Sequence, residues 1–572
     1  MNRRNPPAIC DLSRRRFVQG IAAGSALASL GGLPAVAFAA ELTGQTFDLT
    51  ISALPVNFTG RPAVATTVNG QIPGPTLRWR EGETVTLRVT NRLDVPTSIH
   101  WHGIILPAEM DGVPGLSFDG IMPGETFVYR FRAGQSGTYW YHAHSGFQEQ
   151  TGVYGAIIIE PRQPQLQIAN DHVVLLSDWT DEDPQRVYEK LKTFNGYYNY
   201  AKPTLGDFLR QAQQEGVTRA WRERMMWSAM RMNPRDLADV SGATYTFLVN
   251  GMTPQDNWTA LCDNGKARLR FINASAMTYF DVRIPGLKMT VIAADGQEVH
   301  PVTVDEFRIA TAETFDVLVE PESDRAYTIF AQSMDRSGYA RATLAPRPGM
   351  SADIPALDPV PTLTMADMGM GAMDGMDMPE HDMSSMGDMQ DMDMSSSMTE
   401  ITRHPASENN PGSATQARAL STRLDDPGAG LRDNGRRVLT YADLRAIDDW
   451  QDPREPERAI ELHLTGNMQR YMWSFDGVPY AEAAPIRLTY GERLRIVLVN
   501  DTMMDHPIHL HGMWSEIENA DGEFQARKHT VRVQPGHTIN YRVLANARGR
   551  WAYHCHLMYH MNGGMFREMS VA

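Results

Sequence analysis

The sequence predicts an all-β chain built from three copies of one β-sandwich unit, and two observations predict it. Alternating runs such as Thr84-Val85-Thr86-Leu87-Arg88-Val89 and Arg493-Leu494-Arg495-Ile496-Val497-Leu498-Val499 recur between Gly, Pro and Asn turns. That is the period-2 pattern of half-buried strands, and many short strands at this spacing suggest sandwiches or barrels. The second observation is a repeat. GETVTLRVTNRLDVPTSIHWHG (82–103) matches GERLRIVLVNDTMMDHPIHLHG (491–512), with nine residues from Asn91 to His100 and nine from Asn500 to His509. PGETFVYRFRAGQSGTYWYHAH (123–144) matches PGHTINYRVLANARGRWAYHCH (535–556), with 18 residues from Gly124 to His142 and 18 from Gly536 to His554. Ungapped spacing suits strands of a duplicated sheet, because a one-residue slip turns every side chain to the other face.

The middle copy keeps the pattern and loses the histidines. It reads NGKARLRFINASAMTYFDVRIPG (264–286) and TAETFDVLVEPESDRAYTIFAQ (311–332). Counting nine from Asn273 puts Val282 and Ile284 where the outer copies have their first pair, and Phe330 and Gln332 where they have the second.

Taken along the chain, Ser13-Arg14-Arg15-Arg16-Phe17-Val18 resembles a twin-arginine export signature. A Gly/Ala-rich stretch to Leu33 and the small residues Ala35–Ala40 complete a signal, so residues 1–40 are expected to direct export to a periplasm and leave. No other run of about eighteen apolar residues follows, so no membrane span is expected after that. The units expected next are 41–162, 163–348 without metal ligands, a Met-rich insert at 349–434, and 435–572. A net charge of −15 disfavours nucleic acid and anionic lipid as partners and suits a metal cation. Of three cysteines, Cys10 would leave with the signal, and Cys262 is read as a buried thiol.

Ten of the 17 histidines fall in four clusters: His100 and His102; His142 and His144; His506, His509 and His511; His554, His556 and His560. Residues two apart on a strand share a face, so each His-X-His presents two imidazoles side by side. Eight imidazoles, half from each end of the chain, can line one seam between the first and third units. Imidazole suits Zn, Cu, Fe or Ni, and the histidines alone do not choose. HCHLMYHMNGGM (554–565) does: one Cys thiolate, two His and a weak axial Met are the electron-transfer blue-copper set, and a structural zinc site would more often use two thiolates. Cys555, His560 and Met565 supply three ligands and His506 the fourth. His554 and His556, bonded to Cys555, then face the seam.

HWHG, HAH, HPIHLHG and HCHLMYHMNGGM resemble the four copper signatures of the three-domain multicopper oxidases, from Gly82 to Met565. The resemblance implies three cupredoxin-like Greek-key domains and four copper ions: one type 1, one type 2 and two type 3. It implies that His506, Cys555, His560 and Met565 hold the type 1 ion and His100 and His509 the type 2 ion. His102, His142, His144, His511, His554 and His556 would hold the type 3 pair. It further implies one-electron oxidation of a reductant coupled to reduction of O2 to water. Asp111, nine residues past His102, matches the family's relay acid; at the position of a glutamate carried by many bacterial relatives stands Met561.

Residues 365–398 hold 12 methionines and eight acids in 34 positions, with one histidine and no lysine or arginine. As fold this reads as a disordered acidic linker; as chemistry, thioethers select Cu(I). With the signal, the tract makes the chain similar to the copper-resistance protein A branch, periplasmic oxidases whose implied substrate is Cu(I). Candidate substrate-copper residues are Met504 and Asp505 beside the type 1 site, and Met376, Met378, His381, Met383 and Met386 in the tract. Thr502 stands where cuprous oxidases carry an aspartate. A second methionine group, Met225, Met226, Met230 and Met232, is expected to be helix core. Two alternatives stay open: a laccase-like oxidase of small phenols, and a non-catalytic copper store. Partners expected are O2, the reductant and other periplasmic copper-handling proteins.

Overall fold

The protein is represented by a computed structural model that describes residues 40–163, 168–263, 265–369, 404, 410–417 and 422–572. Residues 1–39 of the expected signal, and Met376, Met378, His381, Met383 and Met386 of the tract, lie outside those residues.

Each repeat folds as two sheets. The first has the order Glu41–Thr43, Gly74–Arg80, Tyr154–Glu160, Gly137–His142, His100–His102, with a second sheet of Ala63–Val68, Thr46–Val56, Thr84–Asn91 and Thr126–Arg132. In the middle unit, six strands begin with Thr246–Val249 and Asn170–Trp179, and five run Trp258–Leu261, Tyr339–Ala345, Tyr327–Ser333, Phe280–Arg283, Glu306–Ile309. The third unit repeats that order, its five-stranded sheet being Ile486–Leu488, Phe566–Val571, Gly549–Cys555, His506–Leu510, Thr530–Val533. Alternation does what the sequence pattern implies: in Thr84–Asn91, Val85, Leu87 and Val89 are fully buried. The all-β expectation stands.

One asparagine sets the geometry of every copy. Asn91 Nδ2 donates to the carbonyls of Val95 and Ile121, both at 2.8 Å, and Asn500 Nδ2 to those of Met504 (2.7 Å) and Val533 (2.9 Å). Asn273 makes the same clamp, but onto Thr278 (2.8 Å) and Ile309 (3.1 Å). Its loop therefore reaches five residues ahead where the outer copies reach four. That extra residue corrects the ungapped count through the middle copy. His100 pairs with His142 and His509 with His554, whereas Phe330 pairs with Arg283 and not with Val282. An Arg283 guanidinium over the Phe330 ring, 4.8 Å from its centroid, fills the place of the imidazole pair.

Three helices are inserted between the strands Asn170–Trp179 and Thr246–Val249: Pro184–Thr193, Leu205–Glu215 and Val217–Ala229. Asp183 and Thr204 cap the first two through their side chains. The methionine-core expectation holds only in part. The last helix buries Ala220 and Trp227, seven residues apart; Met225 lies off that face and is exposed and Met226 is half-buried, whereas Met230 and Met232, just past the helix, are half-buried and pack against the core. Cys262 is buried, and no disulfide forms among the described residues.

Candidate metal centre

Strand register builds the histidine seam. His100 and His102 lie on the edge strand of the first unit, opposite His142, and His509 and His511 extend from the matching strand of the third unit, opposite His554. The two strands face each other, although the strand of the third unit is flanked on its far side by Thr530–Val533. The His102 and His509 rings stack at 3.8 Å, and the His100 and His511 rings lie 3.9 Å apart. The structure brings all eight predicted seam imidazoles together, buried except for His144, which is half-buried.

The second nitrogen of each ring shows what the first is for. His100 Nδ1 bonds the Asp111 carbonyl at 2.8 Å and His509 Nδ1 the His529 carbonyl at 2.6 Å, so both carry N–H at Nδ1 and a lone pair at Nε2. Those Nε2 atoms are buried without a hydrogen-bond partner. His511 Nδ1 is held by Asp111 Oδ2 (2.8 Å) and His554 Nδ1 by the Cys555 carbonyl (2.9 Å), which turns their Nε2 lone pairs together, 3.1 Å apart. His142 Nε2 stands 3.3 Å from His556 Nε2 and 3.4 Å from His102 Nδ1. Facing lone pairs repel unless a cation sits between them. Ligand nitrogens of His102, His142 and His556 lie within 4.8 Å of one another, as do those of His144, His511 and His554, and those of His100, His102 and His509. Two atoms each ~2.0–2.3 Å from one ion stand at most roughly 4.5 Å apart.

Burial, reinforced by the neighbouring imidazoles, holds His102, His142, His144, His509, His511 and His556 well below the ordinary imidazole range, and His554 at about 4. All stay neutral near pH 7, the form that binds metal.

Beside the seam lies a triangle. Cys555 Sγ is 3.5 Å from His506 Nδ1 and 3.9 Å from His560 Nδ1, and the two Nδ1 atoms are 3.2 Å apart. His506 Nε2 is held by Thr502 Oγ1 (2.7 Å) and His560 Nε2 by Asp239 Oδ2 (2.6 Å), so both Nδ1 atoms point at the sulfur. Trp473 stacks on His560 at 3.8 Å. Burial pushes the Cys555 thiol up, and a cation must displace its proton to bind. Met565 is fully buried, and its carbonyl accepts the Cys555 N–H at 3.1 Å. Met504 and Asp505 are buried in the loop before His506; burial pushes the Asp505 carboxyl up.

Sequence reasoning found Asp111 but missed its double hold on one imidazole from each end of the chain. It also missed Glu149, whose Oε2 lies 2.7 Å from His142 Nδ1 and whose carboxyl burial pushes well above its usual range. Asp239 was missed too; its Oδ2 accepts from Tyr471 Oη (2.8 Å) as well as His560. The last is His529, with Nδ1 3.1 Å from His102 Nε2. Its backbone N–H and that of Thr530 donate to Asp295 Oδ2 (3.2 and 3.1 Å), and the buried Lys528 bridges Asp295 and Glu313 at 3.0 Å each. The middle unit thereby fixes the carbonyl that orients His509.

Three sequence profiles described as multicopper oxidase match this chain, at residues 50–164, 170–348 and 453–572. Copper resistance protein A of Escherichia coli is 57% identical over 98% of this chain and 99% of its own length. The Multicopper oxidase MmcO of Mycobacterium tuberculosis is 30% identical over 97% of this chain and 95% of its own. Among solved structures, the multicopper oxidase Fet3p superposes with a TM-score of 0.64 at 19% identity, covering 93% of this chain and 90% of that one.

Proposed function

This chain belongs to the multicopper oxidase family of copper-dependent oxidoreductases, and we propose that it is a periplasmic oxidase that oxidises Cu(I) to Cu(II), reduces O2 to water and protects its cell from copper. The observation that carries the reading is the Cys555 triangle, whose thiolate is covalently flanked by two imidazoles of the seam.

In this reading four coppers are held. His506, Cys555, His560 and Met565 take the type 1 ion. His100 and His509 take the type 2 ion. His102, His142 and His556, with His144, His511 and His554, take the type 3 pair. Bound copper supplies one-electron storage at four centres, which matches the four electrons that turn O2 into two waters. The chain supplies the rest. The Cys555 backbone joins the sulfur to both seam trios. Asp239 and Thr502 hold the rings of His560 and His506 at their outer nitrogens. Asp111 locks His511, and Glu149, whose carboxyl burial pushes well above its usual range, is a second buried acid at the seam, beside His142.

Three things support Cu(I) as the reductant: the likeness to proteins named for copper resistance, the tract's thioethers, and Met504 two residues before His506. Laccases of Cryptococcus neoformans and rice, 24–27% identical, support phenol oxidation as the second reading. Export by the twin-arginine route, with residues 1–40 removed, belongs to the same proposal and rests on the arginine run, as do copper-handling partners. No helix among the described residues is long and apolar enough to cross a membrane. The test is O2 uptake by copper-loaded protein given Cu(I) or a phenol, with and without residues 365–398. Uptake with Cu(I), weakened by removing the tract, is expected. Fast turnover of phenols with no response to Cu(I) favours the laccase, and no uptake with either leaves a copper store.

A further inference from the structure

None of the four ligands of the type 1 set meets solvent. His506, Cys555, His560 and Met565 are each 0% exposed, and the outer ring nitrogens end on Thr502 and Asp239, which are buried themselves. A reductant held outside therefore delivers its electron through the side chains that cover the site. Three aromatic rings lead outward from His560. Trp473 stacks on it at 3.8 Å between ring centroids, Tyr471 stands edge-on to Trp473 at 5.9 Å, and Tyr188 stands edge-on to Tyr471 at 6.0 Å. Trp473 and Tyr471 are buried; Tyr188 is half-buried, with the ammonium of the exposed Lys192 5.3 Å from its ring centroid.

The chain fixes this row against its own backbone preference. Tyr471 follows the short helical turn Met468–Arg470 and is held at φ 48°, ψ 52°, left-handed backbone that costs a residue with a side chain about 1–2 kcal/mol. Glycine would take that position freely. Tyrosine there puts a ring between Trp473 and Tyr188, and its hydroxyl donates to Asp239 Oδ2 at 2.8 Å. Tyr188, on the helix Pro184–Thr193, is anchored as well: its hydroxyl donates to the carbonyl of Asn562, two residues after His560, at 3.0 Å. Both tyrosine separations fall in the ~4.5–7 Å range of aromatic rings in contact, so no solvent gap interrupts the row. Electron tunnelling falls off far more steeply across a gap than through packed atoms.

We propose that Trp473, Tyr471 and Tyr188 form an electron-entry port to the type 1 centre, and that large anionic one-electron donors dock at Tyr188. The inference rests on the oxidase reading above. At each encounter the donor loses one electron and the bound copper passes from Cu(II) to Cu(I); the rings end unchanged and no proton moves. Lys192 supplies the charge that favours an anion at the outer ring, while Lys190 is tied to Glu182. Tyr188 meets the donor, and the two inner rings carry the electron on to His560.

Anaerobic stopped-flow mixing of copper-loaded protein tests the port, read by bleaching of the thiolate-to-copper band. Ferrocyanide and hexaammineruthenium(II) serve as donors of opposite charge. At low salt, Lys192→Glu should slow ferrocyanide about tenfold and speed the ruthenium complex, both effects fading as salt rises. Lys288→Glu, at an exposed lysine of the middle unit, should change either rate by less than about twofold. Tyr471→Leu, which removes the central ring, should slow both donors severalfold, and Tyr471→Phe, which loses only the hydroxyl, should recover most of that rate. Should Tyr471→Leu lose the band, the two lysine changes still decide. In copper-free protein carrying fluorotyrosine, paramagnetic hexacyanochromate(III) should broaden the Tyr188 resonance, and Lys192→Glu should remove that broadening. Equal effects of the two lysine changes, equal rates for Tyr471→Leu and Tyr471→Phe, or an undisturbed Tyr188 resonance overturns the port. Any of these in a protein that keeps its band leaves the oxidase reading standing; a colourless protein overturns both.

Discussion

Replacing Lys528 with methionine tests how the middle unit supports the histidine seam. The Lys528 ammonium is fully buried and spans Asp295 Oδ2 and Glu313 Oε1 at 3.0 Å each. Burial alone would depress its amine; the Asp295 and Glu313 charges override that and raise it. Methionine preserves the stem and removes the charge, which leaves two carboxylates buried against a few N–H donors. Breaking a buried pair from one side costs about 3–5 kcal/mol. For cooperative units of 150–250 residues, that lowers the melting temperature by about 6–20 °C. The loss should also reach the metal centre, because Asp295 holds the peptide whose carbonyl accepts from His509. Calorimetry and copper counting on the same samples read both effects. The Lys528→Met, Glu313→Gln double variant should recover part of the melting loss by removing one stranded charge. A single variant that melts within about 2 °C of the parent and keeps its full copper would refute the reasoning.

Three further outcomes follow from the same geometry. Asp111→Ala frees His511 Nδ1 and should weaken copper binding about 10–100-fold in competition with a chelator; Asp111→Asn, which keeps an acceptor, should lose less, and equal losses would contradict an orienting role. Asp239→Asn replaces a charged partner of His560 by a neutral one, and a charge-assisted bond is roughly twice as strong as a neutral one. Removing the anion should destabilise the oxidised site by about 1.4 kcal/mol and raise its potential by roughly 60 mV in a redox titration; an unchanged potential would sink that assignment. Copper-free protein should lose stability as pH falls from about 6.5 to about 4. Burial keeps His529 and His554 at about 4, so the unfolded chain takes up their protons first, at up to about 3 kcal/mol for each. Denaturant melts at pH 7, 5.5 and 4.5 measure it, and a flat profile would count against buried neutral rings.

The seam was legible because its ligands sit on strands, where two-residue spacing is already a statement of direction and a duplicated register puts both histidine strands on view. His-X-His at matched repeat positions needs no tertiary information. What the sequence hid came from elsewhere in the chain. Asp239 reaches His560 across 321 residues, and Asp295 meets the His529 N–H across 234. No local pattern joins such partners. The slip in the middle copy was hidden for another reason: one residue added after Asn273 changes no periodicity, only the pairing of Arg283 with Phe330. Met225 misled because helical spacing was judged without knowing which stripe, Ala220 and Trp227, faced the core. His529 did leave a trace: it precedes Thr530, which pairs with His509 across the sheet. A repeat-based search for His-X-His passes over a single histidine there.

The most direct measurement is the visible spectrum of purified, copper-loaded protein beside its metal content. A strong sulfur-to-copper band with four ions per chain, the band vanishing in Cys555→Ser, is the predicted result. A colourless protein, or one that retains only one or two ions with Cys555 intact, would contradict the claim that both ends of the chain meet around a thiolate wired to a histidine cage.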